Sequence, residues 1–309
     1  MDTYTFADPE LSPRDLTWAW PGYIPRRCMT EGYGEGGTKK GLAVVSLLSL
    51  FTTGSPLPDG SRGFDGPVTV ISITGEDLLR EVMAPRYLAA GADRRHIIDM
   101  SKDEDGQPFK LTEAGLTRVR EVVCRVNAGE YKLRDGYVLP RFGGLYLDPM
   151  MSIAPRNIVA NKTFRSVILE PLDAFCFDYD AFCWLMNHTT KDGKTVAGSA
   201  AATQGPRMVL GFRQSKANPL CREIFRFKTN ITEDTEAAVP YMSEGIDSSL
   251  RVRWETDCGR ERSGGLGPAR LRVVGPQRVP EKYTAPPQPV APIPPAAEIF
   301  RNLQRAASV

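Results

Sequence analysis

The sequence predicts an α/β fold in which a mainly parallel sheet carries helices on both faces and ends in an antiparallel extension. Three observations predict it. Short apolar runs rich in β-branched residues alternate with longer helical runs between about residues 40 and 230. Polar groups stand at the ends of the short runs, as in Thr74-Gly75-Glu76-Asp77, Asp148 and His188. A glycine-rich stretch, Gly34-Glu35-Gly36-Gly37-Thr38-Lys39-Lys40-Gly41, opens the first long helix. Alternation of this kind builds parallel sheets whose ligands gather at the carboxyl edge.

Taken in order, residues 1–26 form a lead-in rich in Pro and Trp, and Trp18, Trp20 and Tyr23 are expected to pack on the domain edge rather than stack on a base. From Lys40 to about Thr53 the pattern is apolar nearly all round, as in a helix buried against a sheet, with Gly54 as its stop. Val68–Ile73 reads as a buried strand, followed by a helix from about Leu78 to Gly91 and a short strand from His96 to Met100, where His96 is structural. A helix from about Thr112 to Asn127, a turn at Asp135-Gly136 and a buried strand through Leu145–Leu147 follow. Helix 157–175, strand 182–187, and strands 207–213 and 222–228 joined by a short polar turn as an antiparallel pair complete the core. Two more short strands are expected at Leu250–Trp254 and Leu271–Val274. Residues 275–296 are Pro-rich and read as an extended tether, and Ala297–Ala306 reads as an amphipathic helix or a frayed terminus. The domain reading is thus a lead-in (1–26), a core (27–232), an extension (233–274) and a Pro-rich tail (275–309).

Composition narrows the classes. With 39 basic and 37 acidic residues the formal charge is +2, so any nucleic-acid contact must come from local basic loops. The six cysteines, Cys28, Cys124, Cys176, Cys183, Cys221 and Cys258, form no C-x-x-C pair and read as buried free thiols of a reducing compartment. The acidic N-terminus lacks a signal-like apolar region and no run is long enough for a membrane span, so a cytoplasmic protein is expected. No Ser-His-Asp set, cysteine metal cluster or glycosidase-like carboxylate pair stands out.

The stretch 34–41 follows the spacing G-x-x-x-x-G-K-[ST] in part. That spacing exists because backbone N–H groups must wrap anionic phosphates, a lysine must reach the β and γ oxygens, and a hydroxyl must hold Mg²⁺. Gly34 and Lys40 fit it, Gly36, Gly37 and Thr38 supply the loop, Lys39 stands where the second glycine belongs, and Gly41 where Ser or Thr belongs. A register using Gly32 and Gly37 leaves open which of Lys39 and Lys40 meets phosphate. A side chain at the second glycine costs roughly 1 kcal/mol if its φ is positive. Without a hydroxyl at 41, Mg²⁺ loses one ligand, which water or Thr38 would replace. Nucleotide binding should survive these changes better than hydrolysis.

The ordered set DLTWAWPGYIPRRCMTEGYGEGGTKKGLA, ISITGED, LYLDPMMSI, LMNHTTKDGKTVAGSAA and GPRMVLGF, covering roughly residues 14–230, resembles the RecA-like AAA ATPases of the RepA helicase type found in phage and actinobacterial genomes. The resemblance implies a RecA-like P-loop NTPase fold, ATP and Mg²⁺ as ligands, a homo-oligomeric ring, read as a hexamer, and single-stranded DNA as a partner. It implies that Asp148 is the Walker B acid holding Mg²⁺, Glu76 orients and deprotonates the attacking water, and His188 senses the γ-phosphate. It also implies that Arg207 reaches a neighbour's nucleotide, while Lys191 and Lys194 contact DNA phosphates from the loop behind His188. Plainer readings stand beside these: a turn-capping Asp148, a helix-capping Glu76 or Asp77, a satisfied strand-end His188, and a solvated loop at 189–194. Arg213, Arg222, Arg226 and Lys228 continue the basic edge and are explained equally by solvation. The functional expectation is a DNA motor of phage or plasmid metabolism. The alternatives are a weakly catalytic nucleotide-binding scaffold that holds a partner through its Pro-rich tail, and a KaiC-like or DNA-repair ATPase without unwinding activity.

Overall fold

The computed structural model describes residues 14–103, 105–155, 161–189, 204–232, 238–245 and 250–255, all within the compact unit Met1–Ser263. Lys191, Lys194, Cys258, the expected strand Leu271–Val274, the tail from 275 onward and the first residues of the expected helix 157–175 lie outside them.

Three residues decide where the chain turns from sheet to helix for the first time. Strand β3 (Met29–Gly34) ends at Gly34, where an added Cβ would stand 2.7 Å from the Phe212 carbonyl, so only glycine lets the chain leave the sheet beside that neighbour. Helix α1 (Lys40–Thr53) then begins after Lys39, which sits in the left-handed region at φ 57°. Gly54 ends it at φ 64°, its N–H returning to the Leu50 and Phe51 carbonyls. Helix α1 is buried along nearly its whole length, as its apolar pattern requires.

Before β3 lies a hairpin of β1 (Trp18–Trp20) and β2 (Ile24–Pro25). Trp20 is fully buried, with its indole N–H on Asp59 at 3.0 Å, so the lead-in aromatics serve as core. Beyond α1 come β4 (Thr69–Thr74), a π-helical turn leading into α2 (Ala84–Ala89), β5 (Ile97–Asp99), α3 (Glu113–Asn127) and β6 (Phe142–Asp148). His96 closes a 3₁₀ turn before β5 rather than opening the strand. It is buried between the Thr52 carbonyl at 2.7 Å and the Tyr137 hydroxyl at 2.8 Å. Thr112 caps α3 by accepting from the Gly115 N–H. Short helices α4 (Met150–Ile153) and α5 (Asn161–Phe164) lead through a π-helical turn to α6 (Glu170–Tyr179), and β7 (Phe182–His188) follows.

The last four strands among the described residues are β8 (Met208–Gln214), β9 (Arg222–Thr229), β10 (Ala238–Glu244) and β11 (Arg251–Trp254). All strands after β2 join one nine-stranded sheet in the order β11-β10-β9-β8-β3-β7-β6-β4-β5. From β8 to β5 the neighbours are parallel, and from β8 to β11 they are antiparallel. The fold is thus the α/β arrangement with an antiparallel extension that the alternation predicts. Strand β10, whose residues alternate little, carries no clear signal in the sequence.

One core lies between the sheet and α3 to α6, built on Leu145, Leu147, Val119 and Phe175, and a second lies between the sheet and α1, α2 and the hairpin, built on Leu47, Phe51, Trp184 and Trp20. Cys28, Cys124, Cys176 and Cys183 are free thiols, whereas Cys221 is buried and disulfide-bonded. That corrects the expectation of six free cysteines: pairing is set by proximity in the fold, which spacing alone does not reveal. Among the described residues no helix is long and apolar enough to cross a membrane.

Candidate functional site

The carboxyl ends of the parallel strands gather the charged groups. In register, Gly34 of β3 lies opposite His188 of β7, and Thr74 of β4 opposite Asp148 of β6. A glycine-rich loop followed by a helix N-terminus therefore opens beside two carboxylates and an imidazole.

Lys40, in the first turn of α1, folds its ammonium back onto the Gly34 carbonyl at 3.2 Å and meets His188 Nδ1 at 3.3 Å. The other imidazole nitrogen lies 3.5 Å from Glu76 Oε2, and Glu76 Oε1 accepts from the Ser152 hydroxyl at 3.1 Å. The result is a continuous chain from lysine through histidine to carboxylate, with His188 and Glu76 half exposed at the mouth. Burial lowers the Lys40 pKa, and the charges of Asp148 and Glu76 oppose that shift. Lys39, by contrast, is exposed. Of the two candidate lysines, Lys40 is the one that joins the charged cluster.

Asp148 accepts from the Tyr146 hydroxyl at 2.5 Å, and its backbone carbonyl takes the Gly75 N–H at 2.7 Å, which ties the end of β6 to the segment carrying Glu76. Burial raises the Asp148 pKa, against the lowering effects of Tyr146 and Lys40. A carboxylate that burial disfavours in its charged form gains from a nearby cation. Gly41 explains the geometry of the missing hydroxyl: a Cβ built there would stand 3.7 Å from Asp148 Oδ2 and 3.9 Å from Arg86, ordinary contact distances. A serine would fit and would face the acid. The Thr38 hydroxyl donates instead to the Glu35 carbonyl at 2.8 Å, inside the loop.

A magnesium ion fits this donor set. Mg²⁺ keeps several waters and binds through one or two carboxylates plus substrate phosphates. Asp148 supplies the carboxylate, Gly41 leaves the space beside it open, and no group of three or more potential ligands among the described residues forms an all-protein cage.

Arg207 lies elsewhere. It is exposed just before β8, whose Phe212 pairs with Gly34, so it stands five residues back along the strand, roughly 16 Å from the loop at the rise of a β-strand. Its charge acts on Cys28 and Asp173, lowering both pKa values against the raising effect of their burial, and on Lys228. The basic edge divides in the same way. Arg222 begins β9 at the loop, donating to the Gly37 carbonyl at 3.3 Å, while Lys228 lies toward the far end and donates to the Gln204 and Pro206 carbonyls. Sequence order alone does not separate them, because β9 runs antiparallel.

A family model described as an AAA domain matches residues 2–194, well over half of the chain. The chain belongs to this AAA domain family. No curated protein matches it. Membership agrees with the geometry: a phosphate loop between β3 and α1, an acid ending β6 and a mainly parallel sheet make a P-loop ATPase domain. The AAA match ends before β8, so Arg207, Arg222 and Tyr241 lie outside it. Tyr146, Ser152 and Tyr241 are the site residues that sequence reading did not single out, while Arg222 was read as part of the basic edge and not as a loop contact. Only Tyr146, two residues before the strand-ending acid on the same face, left a signal of position.

Proposed function

We propose that this AAA protein hydrolyses ATP as a ring-forming motor on DNA, of the replicative-helicase kind. The observation that carries the reading is the Lys40–His188–Glu76 chain beside Asp148 at the mouth of a phosphate loop. Loop amides of Gly36, Gly37 and Thr38 would cradle the phosphates, and Lys40 would leave the Gly34 carbonyl to meet the β and γ oxygens. Glu76, held by Ser152 and His188, would orient the attacking water and take its proton. His188 touches both the phosphate lysine and the base, so a shift of Lys40 onto a γ-phosphate would be felt at Glu76 and at the segment after the strand. Asp148 would hold Mg²⁺, which would supply neutralisation of phosphate charge. Arg207 is too far from its own loop to act there, which supports a role on a neighbour's nucleotide and hence an oligomer, a hexamer in this reading. Lys191 and Lys194 would supply phosphate contacts to single-stranded DNA, and the Pro-rich tail would hold a protein partner.

One observation favours a second reading. Lys39 occupies a left-handed position and Gly41 offers no hydroxyl, as in a nucleotide-binding but weakly catalytic scaffold subunit. ATP turnover with and without single-stranded DNA, with light scattering to read assembly, separates them. DNA-stimulated turnover by a ring supports the motor; tight nucleotide binding with negligible turnover supports the scaffold. Turnover and DNA stimulation without strand displacement would point to a repair-type or KaiC-like ATPase.

A further inference from the structure

The phosphate loop is held from behind by strands that the AAA match does not reach. Tyr241 of β10 is fully buried, and its hydroxyl donates to the Thr38 carbonyl at 2.6 Å. Arg222 pairs with Tyr241 across β9 and β10, and Tyr241 with Trp254 across β10 and β11, so the three form one cross-strand row. Arg222 donates to the Gly37 carbonyl, and the Trp254 indole donates to the Ser46 hydroxyl on α1 at 3.1 Å, its ring 5.8 Å from that of Tyr241. Two consecutive loop carbonyls, of Gly37 and Thr38, are thus fixed on one side, and the helix that follows is fixed by the same row.

These contacts bracket the first of the two positions where the loop departs from its spacing. Lys39 directly follows Thr38 and adopts φ 57°, a conformation that glycine takes freely and a side chain resists. No side chain caps the start of α1, and the Thr38–Glu35 hydrogen bond inside the loop lies before the turn at Lys39. Anchoring the Thr38 carbonyl fixes the peptide plane that precedes Lys39 and, in a trans peptide, turns the Lys39 N–H away from Tyr241. Burial pushes the Tyr241 phenol further above its ordinary range, so the hydroxyl remains a donor throughout the working pH range.

We infer that Tyr241, seconded by Arg222, is a positioning residue that holds the phosphate loop in its phosphate-ready shape and takes over the conformational role a glycine at position 39 would fill. The inference rests on the reading of this loop as the nucleotide site. It makes the antiparallel extension part of the nucleotide site.

The test is a cycle of Tyr241→Phe, Lys39→Gly and the double variant in the full chain, read in two ways. Nucleotide affinity is measured with a fluorescent ATP analogue, and exchange of the loop amides from Gly36 to Gly41 is measured without nucleotide. Tyr241→Phe should weaken the analogue about 5- to 10-fold and speed loop exchange by a similar factor, with exchange in the sheet core unchanged. In the Lys39→Gly background both losses should shrink to less than half on a logarithmic scale. Equal losses in both backgrounds, or no change in loop exchange, overturn the inference, because a merely structural tyrosine would be indifferent to residue 39. If wild type binds no analogue while the exchange cycle behaves as expected, the nucleotide reading falls and the positioning role stands.

Discussion

The two edges of the parallel sheet are built from similar residue types and do different things. At the carboxyl edge a lysine, a histidine and two carboxylates converge beside the glycine-rich loop, with neighbours along the Lys40–His188–Glu76 chain within 3.5 Å. At the amino edge Arg207 lies in the field of Asp173 and Cys28. The lesson is that charge alone does not make a phosphate site. What distinguishes the carboxyl edge is that parallel strands end there together and a helix N-terminus opens among them, so that donors point at one volume. A cation on the other edge can act on phosphate only when another chain brings its carboxyl edge alongside.

The largest effect should come from testing that last step. Arg207→Ala should lower ATP turnover about 10³-fold while leaving nucleotide affinity within twofold or so, as for an arginine supplied across an interface. Mixing it with Asp148→Asn subunits should recover part of the turnover, because each interface then can pair an intact acid with an intact arginine. Mixtures that stay as inactive as either variant would return Arg207 to an ordinary surface role.

Within the carboxyl edge, Asp148→Asn should reduce turnover on the order of 100-fold with nucleotide binding retained, since the cradle of loop amides and Lys40 is untouched. Turnover at the wild-type level would mean that Asp148 only ends its strand.

These residues also show how far the sequence could be read. The positions of Glu76, Asp148 and His188 were legible because each ends or follows a strongly apolar run, and that of Lys40 because it opens one; continuous apolar patterns locate element ends well. The division of Arg222 from Lys228 was not legible, because it depends on strand direction, and neither was the Tyr241 contact, which joins residues 203 apart in sequence. Strand β10 itself, with Pro240 and few apolar residues in alternation, gave no periodic signal. The disulfide at Cys221 was hidden for the same reason as the Tyr241 contact: proximity is a property of the fold.

A smaller change should come from repairing the loop. Lys39→Gly with Gly41→Ser removes a left-handed side chain and places a hydroxyl beside Asp148, where the space is already open. Turnover should rise several-fold, by about the factor expected from removing roughly 1 kcal/mol of backbone cost and adding one metal ligand. A slower double variant would make Lys39 a phosphate ligand in its own right, and the scaffold reading would then be dropped.

The smallest effect on turnover, and the sharpest on stability, belongs to a residue midway between the two edges. Glu31 lies in the middle of β3, 1% exposed, with Oε1 accepting from the Asn187 amide at 2.9 Å and Oε2 without a partner among the described atoms, as is Asn187 Oδ1. Burial raises its pKa to about 7, against the lowering effects of the Asn187 hydrogen bond and the Lys228 charge, and Tyr33 is the other titrating group that feels it. Two neighbouring acceptors without donors are reconciled if the carboxyl carries a proton. Because the folded pKa lies above the unfolded one, this group's contribution is fully present below about pH 4.5 and is lost as pH rises through about 7. Wild type should therefore lose on the order of 3 kcal/mol of this contribution between pH 5 and pH 8. Glu31→Gln, which offers Asn187 a donor at every pH, should lose none of it. Urea unfolding of both proteins at the two pH values checks this, with turnover as a control that should stay near wild type. If the two proteins show the same change in unfolding midpoint between pH 5 and pH 8, Glu31 is charged inside the fold and the carboxyl edge begins deeper in β3 than Gly34.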